Sequence, residues 1–310
     1  MSRKISIVTP TYNEELNVEE LHERIARVMS QLDCEYEHIF IDNASTDRTV
    51  EKVKGIIQND RRVKLIVNTR NFGHVRSPAH GILQTSGDAV VCMSSDLQDP
   101  PELIAQFVAK WREGFPIVLA VKRSSQESMG MRLVRGTFYD LLNRMSEVKP
   151  LKNSTGFGLY ERKVVELLRL SGDPYPYFRG FLAETGYPIA EVPFDQPARK
   201  RGFTKNNIFT LYDMAMLAFV NHSKIPLRLA SFTGFLGALL SALVGAGYLI
   251  FKLLNWDEFS LGVAPVLIGT FLLGSLQLLF LGVIGEYIGF VFTRIKNEPL
   301  VVEKERVNFD

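Results

Sequence analysis

Only two cysteines, Cys34 and Cys92, occur in 310 residues, and their separation matches no metal-ligand spacing. A disulfide framework and a cysteine-based metal centre are thereby excluded, and both residues read as plain thiols in a reducing compartment. Net charge is scarce too. The 36 Lys and Arg residues nearly balance the 34 Asp and Glu, and the resulting +2 is too small to mark a nucleic-acid partner by itself. Residues 1–4 and the strand-like run behind them lack the apolar core of a secretory signal, so retention on the cytoplasmic side is expected. No internal repeat or low-complexity tract is present.

Apolar residues, by contrast, make up 46% of the chain, and they are concentrated. Between residues 229 and 254 the only charge is Lys252, and between 261 and 292 it is Glu286. Each stretch exceeds the roughly 20 residues that cross a hydrocarbon core, so two transmembrane helices are expected within 227–295. The loop at 255–260 carries Asp257 and Glu258 but no base, whereas Lys224, Arg228, Arg294 and Lys296 flank the outer ends. Because basic residues stay on the cytoplasmic side, this predicts a multi-pass protein of the cell (inner) membrane with its large N-terminal region and both chain ends cytoplasmic. Gly234, Gly237, Gly245, Gly269 and Gly274 would allow close helix approach within a subunit or between copies in a homo-oligomer.

Upstream of the apolar part, β-rich runs at 5–10, 38–41, 63–67, 89–93 and 117–121 alternate with helical spacing at 16–31, 49–58, 76–84 and 102–111. That alternation predicts an α/β domain, 1–205, with a mostly parallel sheet covered on both faces. Ligands of such sheets bind beyond the carboxyl ends of the strands. Three strand ends carry polar clusters: Thr9–Pro10–Thr11–Tyr12–Asn13–Glu14, Asp42–Asn43–Ala44–Ser45–Thr46–Asp47 and Ser94–Ser95–Asp96–Leu97–Gln98–Asp99. Asp96, with Gln98 beside it, is placed to hold a hard cation through a carboxylate oxygen. Asp42 and Asn43 offer hydrogen bonds to a base or ribose. Asp99 directly precedes Pro100–Pro101 and reads as a helix N-cap; negative charge at Glu14 also suits a helix start. Segments 131–148 and 207–221 mix apolar and polar residues as membrane-interface helices do, the second giving an interfacial region at 206–226. Arg199, Lys200, Arg201 and Lys205 cluster where lipid headgroups or phosphates would lie. Residues 296–310 are too few for a domain and read as a cytoplasmic tail.

These motifs, together with Arg70–Asn71–Phe72–Gly73–His74, the run Asp96–Leu97–Gln98–Asp99–Pro100–Pro101–Glu102 and Gly285–Glu286–Tyr287–Ile288–Gly289, resemble family 2 glycosyltransferases in the family's order. Over nearly the whole chain the sequence is similar to the polyisoprenyl-phosphate branch, which includes dolichol-phosphate mannose synthases and bactoprenol glucosyltransferases. The resemblance implies a GT-A Rossmann-like nucleotide-sugar domain and a Mg²⁺ or Mn²⁺ ion. It further implies inverting transfer from a nucleotide-sugar, uridine favoured over guanosine, to polyprenyl phosphate in the membrane lipid. Carried onto this chain, it puts Pro10, Tyr12, Glu14, Asp42, Asn43 and Arg70 around the nucleotide and Asp96 with Gln98 around the cation and diphosphate. Arg123, Arg132 and Arg135 fall where the family has basic groups near phosphates, a task that suits the planar guanidinium fork.

Three positions depart from the family pattern. Asp42–Asn43 stands for Asp–Asp, Ser94–Ser95–Asp96 for Asp-x-Asp, and Gly156 for the aspartate proposed as general base. A catalytically silent nucleotide-sugar-binding scaffold is therefore an alternative reading. A phosphate monoester acceptor, with its second pKa near about 6, is nevertheless already a nucleophile at neutral pH and needs no such base. Asp99 and Glu184 are the substitutes if one is required.

Overall fold

Successive residues along the central strands of this protein are buried, Ile5, Ile7 and Val8 among them, so these strands bury both of their faces. The computed structural model describes residues 3–123, 154–176, 178–197, 225–254, 263–296 and 298–309. The expected alternation is present as β1 (Lys4–Thr11), α1 (Val18–Met29), β2 (Glu35–Asp42), α2 (Thr49–Asn59), β3 (Val63–Asn68), α3 (Gly73–Leu83), β4 (Ala89–Cys92), α4 (Leu103–Arg112) and β5 (Ile117–Lys122). Then follow β6 (Ser154–Glu161), α5 (Arg162–Ser171), α6 (Phe178–Glu184), β7 (Ile189–Phe194), two long helices α7 (Ile225–Leu254) and α8 (Val263–Ile295), and β8 (Glu303–Val307). The interface segments expected at 131–148 and 206–226, the acidic loop at 255–260, and Arg132, Arg135, Arg199 and Lys205 lie outside the described residues.

The strands form one eight-stranded sheet in the order β7-β5-β6-β4-β1-β2-β3-β8. Six strands point one way, as the mostly parallel expectation has it, and two reversed strands make the sheet mixed: β6 runs antiparallel to β4 and β5, and β8 antiparallel to β3. Both strands escaped the sequence reading for local reasons. β6 holds Gly156 and Gly158, and β8 is the charged run Glu-Lys-Glu-Arg-Val with no alternation to follow. The parallel pairings of β1 with β2 and β4, β2 with β3, and β5 with β7 bring the carboxyl ends of β1–β5 and β7 to one edge. β6 and β8 begin at that same edge.

Period-two alternation divides the core between the two faces. Ile5, Ile7, Phe40, Leu65 and Val91 point to the side covered by α1, α2 and α4, where they meet Leu21, Val53 and Phe107. Val8, Ile39, Ile41, Ile66 and Val90 point to the other side, under Ile82 of α3 and Val164 and Leu168 of α5. Gly81 is what lets α3 come down on the sheet, since a Cβ there would lie 2.8 Å from Val8 Cγ1.

Residues 296–310 are not a free tail. β8 pairs with β3, and the helix α8 that precedes it is fastened to the domain where Arg294 donates to Asp173 at 2.9 Å. Lys54 binds Glu305 at 2.7 Å, and Asn308 Nδ2 donates to the Val63 carbonyl at 2.6 Å. The α/β domain therefore includes strands from both the first and the last parts of the sequence. Among the described residues, one stretch, Leu273–Ile295, is long and apolar enough to cross a membrane by length and composition. Its large side chains face outward, with Leu278 71% and Phe292 65% exposed. A Cβ at Gly234, Gly237, Gly269 or Gly274 would meet nothing within 4 Å, so those glycines create no close helix approach within the protomer.

At the opposite edge of the sheet, buried Glu37 on β2 gathers Ser6 Oγ (2.5 Å), Lys64 Nζ (2.9 Å), Lys4 Nζ (3.3 Å) and the Ser86 backbone N–H (2.8 Å). Burial raises its pKa, but the hydrogen bonds from Ser6, Lys64 and Ser86 outweigh that and hold it down to about 2. Because the folded pKa lies below the ordinary 4.5, this stabilisation is complete above about pH 4.5 and disappears as pH falls through about 2. We predict that Glu37→Gln lowers stability at pH 7 by about 1.5–3 kcal/mol, the usual worth of hydrogen bonds to a buried charge. Denaturant unfolding of the two proteins from pH 7 downward should show the difference shrinking only below about pH 4.5.

Candidate active site

Three strand-end loops meet at the shared edge, and each turns on a non-glycine residue in the left-handed region: Asn13 (φ 55°), Ala44 (φ 62°) and Leu97 (φ 61°). That conformation costs about 1–2 kcal/mol per L-residue, so the loops must hold one another in place. They do so directly. The Asn13 N–H donates to Ser45 Oγ and the Thr46 N–H to Asn13 Oδ1, both at 2.8 Å, while Ser95 Oγ donates to the Pro10 carbonyl at 3.0 Å. Glu14 fixes the start of α1 through Asn17 Nδ2 at 2.6 Å, and Tyr12 is half-buried on the same loop.

Asp42 is fully buried at the end of β2, where it accepts the Ser45 N–H at 2.9 Å, the Ser45 hydroxyl and the Thr11 hydroxyl. Burial pushes its carboxyl above the ordinary range, against the lowering effect of those bonds. Asn43 explains one departure from the family. Its Nδ2 donates to Asn71 Oδ1 at 2.8 Å and to the Gly73 carbonyl at 3.2 Å, while its Oδ1 accepts the Phe72 N–H at 2.8 Å and Asn68 Nδ2 at 3.2 Å. A side chain that both donates and accepts is required here, and an aspartate supplies no donor when ionised. Asn43 thus holds the β3–α3 loop, which carries Arg70 with its guanidinium 4.0 Å over the Phe72 ring.

The second departure also has a partner. Ser94 Oγ lies 2.9 Å from Asp96 Oδ1 and 2.6 Å from Asp99 Oδ2, and the Ser94 N–H donates to the same Asp99 oxygen at 2.9 Å. A hydroxyl has one proton to give. Burial pushes Asp99 above the ordinary carboxylate range despite the Ser94 bonds, and the charge of Asp96 adds to the rise. The single Ser94 proton serves one carboxylate at a time, so the Ser94 hydroxyl bridges Asp96 and Asp99. Asp99 is therefore no helix cap, which corrects the sequence expectation: its carboxyl turns back into the loop, and Glu102 occupies the N-cap position of α4. The spacing Ser-x-Asp-x-x-Asp was the available signal for this pair.

Asp96 also accepts the Gln98 N–H at 3.1 Å, and Gln98 Nε2 reaches the Pro197 carbonyl beyond β7 at 3.4 Å. Among the described residues, no group of three or more His, Cys, Asp or Glu is arranged to hold an ion unaided. A Mg²⁺ or Mn²⁺ shared between Asp96 and the oxygens of a diphosphate fits the donor chemistry, because such ions commonly take about one or two carboxylates plus substrate phosphates. Arg123 stands at the end of β5 on the same edge, exposed and 3.6 Å from Asp195. Glu184 is exposed at the end of α6. Gly156 occupies a bulge, between the Leu119–Gly158 and Val121–Ser154 pairs, at φ +87°. That backbone favours glycine and disfavours an aspartate side chain. Cys92, behind Asp99, has its thiol pushed up to about 12 by burial, so it stays protonated.

The sheet topology is that of a GT-A-like α/β fold. Residues 6–169 match the model of glycosyl transferase family 2. The chain is 37% identical over 301 residues to an uncharacterized glycosyltransferase of Synechocystis sp., covering 97% of this chain and 94% of that one. It is 33% identical over 305 residues to the bactoprenol glucosyl transferase of Shigella phage SfII, covering 97% and 98%. Glucosyl-3-phosphoglycerate synthase of Mycobacterium tuberculosis, solved with Mg²⁺ and UDP, is similar at 21% identity and a TM-score of 0.49, over 70% of this chain and 77% of that one. This protein belongs to glycosyl transferase family 2 and is a transferase enzyme.

We predict that Asn43→Ala, which leaves the Phe72 N–H and the Gly73 carbonyl without their partner, lowers stability by about 1–3 kcal/mol. Denaturant unfolding measures the loss. A cost under about 0.5 kcal/mol would mean that the β3–α3 loop does not depend on this amide.

Proposed function

We propose that this enzyme transfers a sugar, with inversion, from a uridine-diphosphate sugar to polyprenyl phosphate at the cytoplasmic face of the membrane. The observation that carries the reading is the meeting of two features at one sheet edge. The polar strand-end loops lie there, and the chain leaves that edge after β7 toward its long apolar helices and returns to it at β8. Near full-length similarity to a bactoprenol glucosyl transferase supports the same acceptor class.

In this reading Asp42, Pro10, Tyr12, Glu14 and the Asn43-held loop with Arg70 receive the nucleotide. Asp96, oriented by Ser94 and the Gln98 N–H, would hold a divalent cation, which would supply charge neutralisation for the leaving group. An oxygen of the acceptor phosphate attacks the anomeric carbon from the face opposite the leaving group. Its bond to carbon forms as the carbon–oxygen bond to the nucleoside diphosphate breaks. No proton is removed from the acceptor, because the phosphate monoester is largely dianionic at neutral pH. That accounts for glycine at position 156: orientation of two preformed ions replaces general-base catalysis. Arg123, with Arg132, Arg135, Arg199 and Lys205, is assigned to the phosphates.

Topology supports two membrane crossings. β8 shares a sheet with residues N-terminal to both long helices, so both parts lie on one side of any membrane. If 273–295 crosses once, the chain must cross an even number of times, and α7, 30 residues long, supplies the second span. Cysteine labelling at Glu258 and Asn308 of a cysteine-free variant in sealed inverted vesicles tests this. An impermeant reagent should label position 308 and spare 258; labelling of both would refute the two-span arrangement.

The reaction is tested by release of nucleoside diphosphate from UDP- and GDP-sugars, with and without polyprenyl phosphate and Mg²⁺ or Mn²⁺. Release from one UDP-sugar that requires the acceptor is the expected result, and Asp96→Ala should reduce kcat by about 10²–10³-fold, as loss of a main electrostatic group does. Nucleotide binding without turnover on any donor would refute transfer to polyprenyl phosphate.

A further inference from the structure

The segment leaving α8 does not run freely to β8. Arg76, in the first turn of α3 and 14% exposed, donates through Nε to the Leu300 carbonyl at 2.8 Å and through Nη2 to the Pro299 carbonyl. Its Nη1 lies 3.5 Å from Glu298 Oε2. Two residues further on, the Val302 carbonyl accepts both the N–H of Thr69 at 2.9 Å and its hydroxyl at 3.1 Å. Thr69 and Arg76 bracket the loop that carries Arg70, Asn71 and Phe72.

The contacts continue inward. The Arg76 guanidinium lies 5.4 Å over the Phe72 ring, whose other neighbour is Arg70 at 4.0 Å. Phe72 is buried, and its N–H donates to Asn43 Oδ1 beside Asp42. An arginine suits the junction because its rigid fork of donors can serve two successive carbonyls and a ring face together, which an ammonium cannot.

We propose that Arg76 is a positioning residue for the nucleotide-sugar: it fastens the segment emerging from α8 to the β3–α3 loop and so holds Arg70 and Phe72 in their binding arrangement. The inference rests on the donor reading above. It makes donor affinity depend on a part of the chain more than two hundred residues away in sequence, with Arg76 and Leu300 separated by 224 positions.

The test uses the full-length protein in detergent with UDP and Mg²⁺ as the probe, by calorimetry, alongside steady-state transfer. Arg76→Ala is expected to raise the Kd for UDP and the KM for the donor by about tenfold, with kcat at saturating donor within about twofold of the unaltered enzyme, as residues in such networks alter coupling without touching ligand. Arg76→Lys should fall between the two. Thr69→Val, which removes only the hydroxyl bond at the other end of the strap, should raise Kd by about twofold to threefold and serves if Arg76→Ala does not fold. Unchanged UDP affinity in folded Arg76→Ala, or in Thr69→Val where it stands alone, overturns the proposal. So does a fall in kcat with Kd and KM unmoved, the signature of lost active protein. Failure of the unaltered enzyme to bind UDP would instead overturn the donor reading on which the proposal stands.

Discussion

The pairing of β8 with β3 is the constraint on which the arrangement of this protein depends. β3 would otherwise be an edge strand with a row of unsatisfied backbone groups, and the returning chain end satisfies them. The strand that does so is rich in charge, with Lys304, Glu305 and Arg306 exposed, which suits an outermost position that must not recruit another chain. Since the sheet holds residues from both ends of the sequence, everything between β7 and β8 is a tethered excursion. Two long helices therefore lie in sequence between strands of one sheet, and α8 is fastened to the domain through Arg294 and Asp173.

The sheet's polar groups collect at the carboxyl ends of its parallel strands, and the electrostatics there differ from those at the strands' amino ends. Glu37, at the far edge, meets two lysines and several donors and is held ionised down to about pH 2. Asp42 and Asp99, at the site edge, are buried without a basic partner in hydrogen-bond contact and are pushed upward instead. Burial is common to all three, so the neighbours decide the direction.

The family carboxylates that this chain lacks are each replaced by a specific local arrangement. Asn43 gives up a charge and gains the donor that closes the β3–α3 loop. Ser94 gives up a charge and joins Asp96 to Asp99, so that a second carboxyl stands one hydroxyl away. Gly156 lies at a bulge whose backbone excludes most side chains. None of these reads as decay, because each residue is hydrogen-bonded or conformationally required where it stands.

Periodicity made the first five strands and four helices legible in the sequence, because a strand buried on both faces and an amphipathic helix leave distinct apolar patterns. Polar clusters after β1, β2 and β4 were legible for a related reason: in a parallel sheet the residues that follow strands share an edge. β6, β7 and β8 were not: glycines break the apolar run in the first, Pro193 and Glu191 interrupt the second, and solvent-exposed charge fills the third. Nor did the sequence reveal that Asp99 turns back to Ser94 or that Asn43 spends its amide on a loop, because side-chain partners three to thirty residues apart depend on loop dihedrals that composition does not encode. The amino-acid sequence by itself determined the class of fold, the edge that carries the chemistry and the presence of long apolar helices. Only the tertiary structure decided that the last strand returns to the first domain and that Arg76 meets residue 300, because contacts between distant segments are set by packing rather than by any local pattern.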